Sequence, residues 1–376
     1  MTKSKNDAIG DMAGLEKAIG ASGFDAVIAV SPENVRYAGD VSISTQVSIR
    51  DRLAFIIWPS GRAPIFLVCH IEAGFVRRES WIEDVRTYQE FVTDPMTALA
   101  EILRELKCDR GHVALETEYL AAKYYNDLVR QLPSMRISPA EPLFARTRMF
   151  KTKKEKDIIV NAFNGTEKAF LTTYLSVQVG ETEKQISMRL ADNILLNGAE
   201  MVAFNHLNCG ENTGYPHMAP SDYRVRHGDI VKADSGGFFK EYYSNVGRTA
   251  KIGKPTSREA DMWKHLRDIH HTIIGMCQPG RLGKELFAKA KELQIKAGLP
   301  FTYSHNGHSL GLNVHERPIV SPHEDIPYEV GMITTVETRH RDVGKLGLHM
   351  EDIIEITDKG PIWHARIFQN EEIFVI

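Results

Sequence analysis

The chain has 376 residues, more than one hydrophobic core usually organises, so two domains are expected. With 25% charged and 43% hydrophobic residues it has the composition of a globular protein, and 49 acidic against 46 basic side chains leave a net charge of only -3. That balance argues against nucleic acid or a membrane surface as a partner. The opening MTKSKNDAIGD contains no apolar run, and no later stretch offers about 18 uninterrupted apolar residues, so a cytoplasmic protein without a secretory signal is expected. Cys69, Cys108, Cys209 and Cys277 are far apart and form no C-x-x-C pair, which reads as free, mostly buried thiols.

In chain order, LEKAIGASGFDAVIAVSPENVRYAGD reads as a helix stopped at Gly23, a β-branched strand (AVIAV) and a turn at Ser31 and Pro32. Strands at LAFIIWP and APIFLV, a helix at TALAEILRELK and a strand at HVALE follow, so residues 1–145 alternate in the manner of an α/β layer. The basic run RTRMFKTKKEKD, residues 146–157, marks the boundary and reads as a solvated helix start. Beyond it, Thr182 and Gln185 form a capping-box pattern, with Ile186, Leu190 and Ile194 at i, i+4 spacing up to Gly198. Thr256 and Glu259 repeat the pattern, and the stripe Met262, Leu266, Ile269, Ile273 and Cys277 ends at QPG. The β-like segments DIVKADSGG, YYSNVGRTAKIG, MITTVETRH and EDIIEIT interleave with these helices, which predicts helices covering a mostly antiparallel sheet over residues 146–376. No repeat of 20 to 50 residues is present, against a solenoid.

Four stretches of the second half combine glycines with metal-capable side chains: CGENTGYPHMAP with His217, DIVKADSGG with Asp234, HNGHSLGLNVHERP with His305, His308 and His315, and TTVETRH through LHMEDIIEI with Glu337 and Glu351. Asp234, Glu337 and Glu351 all lie inside apolar strand sequence, where an unpaired carboxylate is expensive to bury and a cation would remove the cost. Oxygen ligands with one imidazole suit Mn, Fe, Co or Zn in a catalytic site better than a thiolate-rich structural one.

These residues also carry a resemblance. GHSLGLNVHERP resembles the G-H-G-I-G-L-x-x-H-E-x-P signature of the methionine aminopeptidase, prolidase, aminopeptidase P and creatinase superfamily, the pita-bread fold. GDIVKADSGGFFKEYYSNVGRT is similar to that superfamily's G-D-x-V-x-x-D-x-G followed by Y-x-S-D-x-T-R-T, and SGFDAVIAVSPENVRYAGD resembles the opening of the creatinase and prolidase N-terminal domain. The resemblance implies a C-terminal pita-bread domain with a curved antiparallel sheet, a smaller α/β N-terminal domain, and a homodimer. It implies metal ligation by Asp234, Asn245, His308, Glu337 and Glu351, with His217, His315 and Glu337 as catalytic groups. The activity implied is hydrolysis of a C–N bond, of the Xaa-Pro dipeptidase or aminopeptidase kind, on a small-molecule or short-peptide substrate. One or two divalent ions (Mn, Co, Fe or Zn) would activate water.

The sequence departs from the superfamily pattern in ways that bear on this expectation. Asn245 stands where an aspartate bridges two ions in the two-metal relatives, so three carboxylates remain instead of four. One ion held tightly and a second weakly or not at all is expected, although a bridging hydroxide could restore neutrality. The third motif is V-E-T-R-H instead of V-E-P-G-x-Y, His349 replaces the common Arg in LHMED, and His305, three residues before His308, follows Ser304 where a His is often found. A different substrate pocket follows, with Tyr215, His305, Arg339, His340 and His349 as substrate-binding candidates and Asn205, His206 and Asn212 nearby. Arg339 and His340 would either reach the cavity rim and bind a substrate carboxylate or form a surface ion pair, and Arg248 would anchor its strand. Arg50 and Arg52 would lie at the surface or reach a partner's pocket. Two rivals stay open: a metal-independent, creatinase-like hydrolase of a small guanidino or amide compound, with His217 as acid and base, and a non-catalytic pita-bread binding protein.

Overall fold

A computed structural model describes residues 3–368 and 370–376. The chain divides into two compact units, Met1–Arg148 and Met149–Ile376, the first two residues lying outside the described ones.

The first unit is built on a mixed sheet of β1 (Ala26–Ala29), β2 (Phe55–Pro59), β3 (Ile65–Cys69), β4 (Asp84–Tyr88), β5 (His112–Leu115) and β6 (Arg136–Pro139), in the order β4-β3-β2-β1-β5-β6. β1–β2 and β2–β3 are antiparallel, and the other pairs run parallel. The central strands β1, β2 and β3 are apolar along their whole length because both faces are buried, which is why AVIAV, LAFIIWP and APIFLV read as uninterrupted runs. The helix Met12–Ala21 starts where the Asp11 carboxylate accepts the Gly14 N–H, and Gly23 follows it at φ 77°. Arg52 is held by the Glu90 carboxylate at 2.6 Å, an intramolecular pair within this unit.

The second unit contains β7 (Met201–Cys209), β8 (Ile230–Phe239), β9 (Tyr242–Tyr243), β10 (Val246–Lys251), β11 (His308–Ser309), β12 (Glu316–Ile319), β13 (Ile333–Asp342), β14 (Leu346–Thr357), β15 (Gly360–Trp363) and β16 (Phe374–Val375). Seven of these form the path β12-β11-β13-β14-β10-β8-β7, antiparallel throughout, while β9, β15 and β16 attach to β8, β14 and β10. Helices Lys153–Tyr174, Glu183–Leu196 and Ser257–Met276 each begin with a capping box, from Thr152/Glu155, Thr182/Gln185 and Thr256/Glu259. The basic run therefore leads into a helix. Ile269 and Ile273 of the third helix, with Cys277 capping its end, pack with Val336 of β13 and with Ile354 and Ile356 of β14, and Met262 and Leu266 pack with Ile230 and Met350.

Alternation does the rest. Along β14, residues 350, 352, 354 and 356 turn toward the helices, leaving His349 and Glu351 on the other face. All four cysteines are free and buried, and among the described residues no helix is long and apolar enough to cross a membrane.

Candidate active site

Strand register assembles the site from residues far apart in the chain. Glu337 of β13 pairs with Glu351 of β14, Glu351 with Gly247 of β10, Gly247 with Asp234 of β8, and Asp234 with His206 of β7. One row across the sheet thus brings together three carboxylates. Two residues along, a second row runs Arg339 opposite His349, Thr249 opposite Lys232 and Lys232 opposite Asn208. Gly247 has a specific steric duty: a Cβ there would lie 2.7 Å from the His349 ring, so only glycine lets the imidazole lie over β10. Gly307, at φ 141° just before His308, would likewise press a Cβ to 2.2 Å from the Thr335 carbonyl oxygen.

Two groups of donor atoms result, each with its members within 4.8 Å of one another: Asp234, His349 and Glu351, and His308, Glu337 and Glu351. His308 Nδ1 lies 3.0 Å from the Ser309 carbonyl oxygen, which can only accept, so Nδ1 carries the proton and Nε2 keeps a lone pair. That lone pair faces Glu351 Oε1 at 3.5 Å and Glu337 Oε1 at 3.6 Å. Asp234 Oδ1, Asn245 Oδ1, Glu337 Oε1, both Glu351 carboxylate oxygens and His349 Nε2 are buried without a hydrogen-bond partner. Acceptors converging on acceptors repel unless a cation sits among them, so the donor set fits a divalent ion with mixed oxygen and imidazole ligands. Asn245 is placed with its Nδ2 3.4 Å from His308 Nε2; turning the amide over would present its oxygen instead.

Electrostatics separate the two glutamates. Burial opposes ionisation of Glu337, but Arg339, with His305 and His349, overrules it and holds that carboxyl well below the usual range. Burial, and then Glu337 and Asp234, push the Glu351 carboxyl well above it. Burial lowers His308 to about 3 and also lowers His349, which leaves both imidazoles neutral ligands at physiological pH.

The structure places the substrate-binding candidates differently from one another. Arg339 lines a cavity beside the carboxylates but is only 9% exposed, ion-paired to Glu337 and bonded through Nη2 to the His305 carbonyl oxygen at 2.6 Å. His340 is one residue out of phase with Glu337 and Arg339 yet also lines that cavity; burial lowers its imidazole, with Asp342 and Arg258 as the neighbouring charges. His349 lies among the carboxylates, with Nδ1 4.0 Å from Asp234 and Nε2 3.6 Å from Glu337. It is thus a candidate ligand more than a substrate contact. His305 Nε2 is 3.3 Å from Glu337, and His315 stacks near His308 with ring centroids 4.1 Å apart. Tyr215 has an exposed ring, and its carbonyl accepts a hydrogen bond from Lys232. Asn205 and Asn212 are tied into local hydrogen bonds, to Ser187 and Glu183, and the rings of His206 and His217 are 5.0 Å apart.

The cavity is small, ≈ 20 Å³, and is lined by Thr213, His217, Lys232, Asp234, Arg339, His340, Arg341 and His349, among others. Sequence reasoning missed Lys232 and Arg341. The available signal was alternation: Lys232 precedes Asp234 by two residues, and Arg341 follows Arg339 by two. Burial lowers the Lys232 ammonium to about 8, and burial with Arg339 as neighbour lowers Arg341.

On the helix-covered face, Arg248 is fully buried and bonds Asp352 at 2.6 Å and Glu167 at 2.7 Å, while its Nη1 donates to the Glu351 carbonyl oxygen. His270 Nε2 meets the other Asp352 oxygen at 2.9 Å. Burial resists ionisation of Asp352, but Arg248 and His270 prevail and hold it at about 2. Arg248 anchors β10 to β14 and to the helix Lys153–Tyr174, as its position implied.

Comparison with known proteins matches these features. The family model "Metallopeptidase family M24" covers residues 157–358, and "Creatinase/Prolidase N-terminal domain" covers residues 12–150. The chain is 29% identical over 215 residues to the Xaa-Pro dipeptidase of Pyrococcus furiosus, a match covering 57% of this chain and 62% of that relative's length. It is 26% identical over 351 residues to the Xaa-Pro dipeptidase of Lactobacillus delbrueckii subsp. lactis, covering 92% and 94% of the two chains. The crystal structure of a recombinant prolidase from Thermococcus sibiricus superposes with a TM-score of 0.88 at 22% identity, over 97% of this chain and 98% of that one, a likeness of fold.

Proposed function

The chain belongs to metallopeptidase family M24 and has the pita-bread architecture with a creatinase/prolidase N-terminal domain, and from that premise we propose a hydrolase of a C–N bond that holds one divalent cation tightly. The observation that carries the reading is the His308 Nε2 lone pair, locked by Ser309 and aimed at Glu351 Oε1, a buried oxygen without a hydrogen-bond partner. His308, Glu337 and Glu351 would hold the ion, with Asp234, His349 and Glu351 as a weaker second position. Charge supports one ion over two. Arg339 neutralises one of three carboxylates, so the remaining two balance a single divalent cation, and Asn245 adds no charge.

When bound, such an ion supplies a water that ionises near neutral pH. The chain's own groups do the rest. Burial keeps His315 and His217 neutral at that pH, so each offers one N–H and one lone pair at the open side of the carboxylate row. His315, beside His308, is suited to donate to a developing oxyanion, and His217, in the cavity wall with Asp234, to return a proton to the leaving amine. The printed activity of the relatives suggests an Xaa-Pro dipeptide as substrate. Manganese as the ion and a homodimer as the assembly belong to the same proposal and are carried over from the resemblance.

Purified protein should contain close to one divalent ion per chain by plasma mass spectrometry, and release proline from alanyl-proline with manganese but not after EDTA. Below about 0.1 ion per chain with chelator-insensitive turnover of a guanidino or cyclic amide compound, the metal-independent reading replaces it. The Arg339–Glu337 contact is what favours that alternative, because it already places a cation against the carboxylates. Neither ion nor turnover would leave a binding protein.

A further inference from the structure

His217 stands on a stretch with little regular structure. Between the end of β7 at Cys209 and Ser221 there is only the short 3₁₀ turn Gly210–Gly214, and among residues 211–221 only Thr213 and Gly214 are buried. A loop with so few apolar contacts opens locally unless polar ties hold it. Three ties each fix one point: Thr213 Oγ1 accepts the Gly347 N–H, Lys232 donates to the Tyr215 carbonyl oxygen, and Asn208 Nδ2 donates to the Met218 carbonyl oxygen. Glu183 does something different, because its fully buried carboxylate ties both ends at once. Oε1 accepts the Cys209 N–H at 2.7 Å and Asn212 Nδ2 at 3.1 Å, while Oε2 accepts the Ser221 N–H at 2.8 Å and the Ser221 hydroxyl at 2.7 Å. These four donors are neutral and stand in for a counter-ion.

We infer that Glu183 is a positioning residue for His217: its carboxylate closes the 209–221 stretch into a fixed loop and so holds the imidazole at the cavity wall. Glu183 opens the helix Glu183–Leu196, where the helix dipole favours negative charge, so the clamp starts from a rigid element. Capping does not require this carboxylate, since Thr182 and Gln185 already form the box. Backbone bonds from Glu183 N–H to the Tyr223 carbonyl and from Lys184 N–H to the Ser221 carbonyl bring the far end of the loop to the helix. The two carboxylate oxygens then join that end to the near one at Cys209. The His217 side chain is exposed, so its direction follows the backbone beneath it, with its ring 5.0 Å from the His206 ring of β7. Glutamine at 183 would keep the shape but turn an amide NH2 against N–H donors, releasing one end of the loop. The catalytic consequence rests on the proposed function, in which His217 returns a proton to the leaving amine, but the clamp itself is read by amide exchange.

The test combines amide hydrogen exchange, read by mass spectrometry, with a double-mutant cycle on the full chain. In Glu183→Gln the amides of residues 209–221 should exchange at least about tenfold faster, the scale of one buried donor left unpaired, while the helix Ser257–Met276 keeps its protection. Bound metal should stay at the wild-type level by plasma mass spectrometry, because no ligand is touched. For alanyl-proline, kcat should fall about tenfold with KM within about twofold, and Glu183→Asp, which keeps both acceptor oxygens, should recover part of the loss. In a His217→Ala background the same Glu183→Gln change should alter kcat by less than about twofold, since the group it positions is gone. If Glu183→Gln does not fold, Ser221→Ala removes one donor and leaves the carboxylate, and should show the same pattern at about threefold. Unchanged exchange over residues 209–221, or faster exchange spread over the whole chain, would overturn the clamp. Equal kcat losses with and without His217 would overturn action through that imidazole. Absence of proline release by the wild type would instead remove the hydrolase reading, and the exchange rates alone would then decide the clamp.

Discussion

Glu351 and Asp352 are neighbours on β14, both fully buried, and they face opposite sides of the sheet. Asp352 meets a cation supplied by the chain: Arg248 and His270 occupy its oxygens, and Glu167 shares the same guanidinium. Glu351 meets other acceptors, with neutral His308 and His349 nitrogens at 3.5 and 3.7 Å, and neither of its oxygens has a hydrogen-bond partner. The difference shows how to tell a structural buried charge from a functional one. Where the chain brings its own counter-ion, the charge holds strands to helices; where it does not, the missing charge belongs to something that binds.

Substitution should break the two regions in opposite ways. Arg248→Met leaves Asp352 and Glu167 buried without their cation and should cost about 3–5 kcal/mol in denaturant unfolding. Glu351→Gln should leave the melting temperature of chelated protein unchanged or higher, yet abolish bound metal by plasma mass spectrometry. If Glu351→Gln destabilised the chelated protein as much as Arg248→Met, the distinction between the faces would fail.

pH sharpens the contrast. Asp352 is depressed from an ordinary 3.8 to about 2, so the stability it contributes, about 2 kcal/mol, is present above 3.8 and lost as pH falls through about 2. Glu351 is raised from an ordinary 4.5, so stability associated with its protonated form is present below 4.5 and lost as pH climbs through its raised value. Glu337, depressed well below 4.5, has finished titrating before that window opens. Chelated protein should therefore lose melting temperature from pH 4.5 toward neutrality, and a divalent ion should reverse the loss with proton release measurable by calorimetry.

The smallest effect expected is that of Asn245→Asp. Restoring a fourth carboxylate should tighten binding of a second ion by about tenfold in a calorimetric titration. An unchanged stoichiometry and affinity would count against charge balance as the reason for one ion.

Much of the fold was legible because its signals are local. Capping boxes at Thr182 and Thr256 and the i, i+4 stripe through Met262 and Ile273 operate within a few residues, and the apolar runs of the first unit follow from burial on both faces. The candidate site was legible where a carboxylate interrupts an apolar strand, as at Asp234, Glu337 and Glu351. Side chains whose meaning depends on a distant neighbour were not. Nothing local shows that Arg339, expected either at the cavity rim or in an ion pair, folds back onto Glu337, or that His349 lies over Gly247 among the carboxylates, a space that exists only once β10 and β14 are paired.

The sequence by itself determined the element types, the two-layer α/β and helix-on-sheet plan, and the residue types able to ligate a cation, since periodicity, caps and the cost of burying charge are properties of short stretches of chain. Only the tertiary structure decided which charges meet. Register across β7, β8, β10, β14 and β13 aligns residues more than a hundred positions apart, and a shift of one residue would turn each to the opposite face.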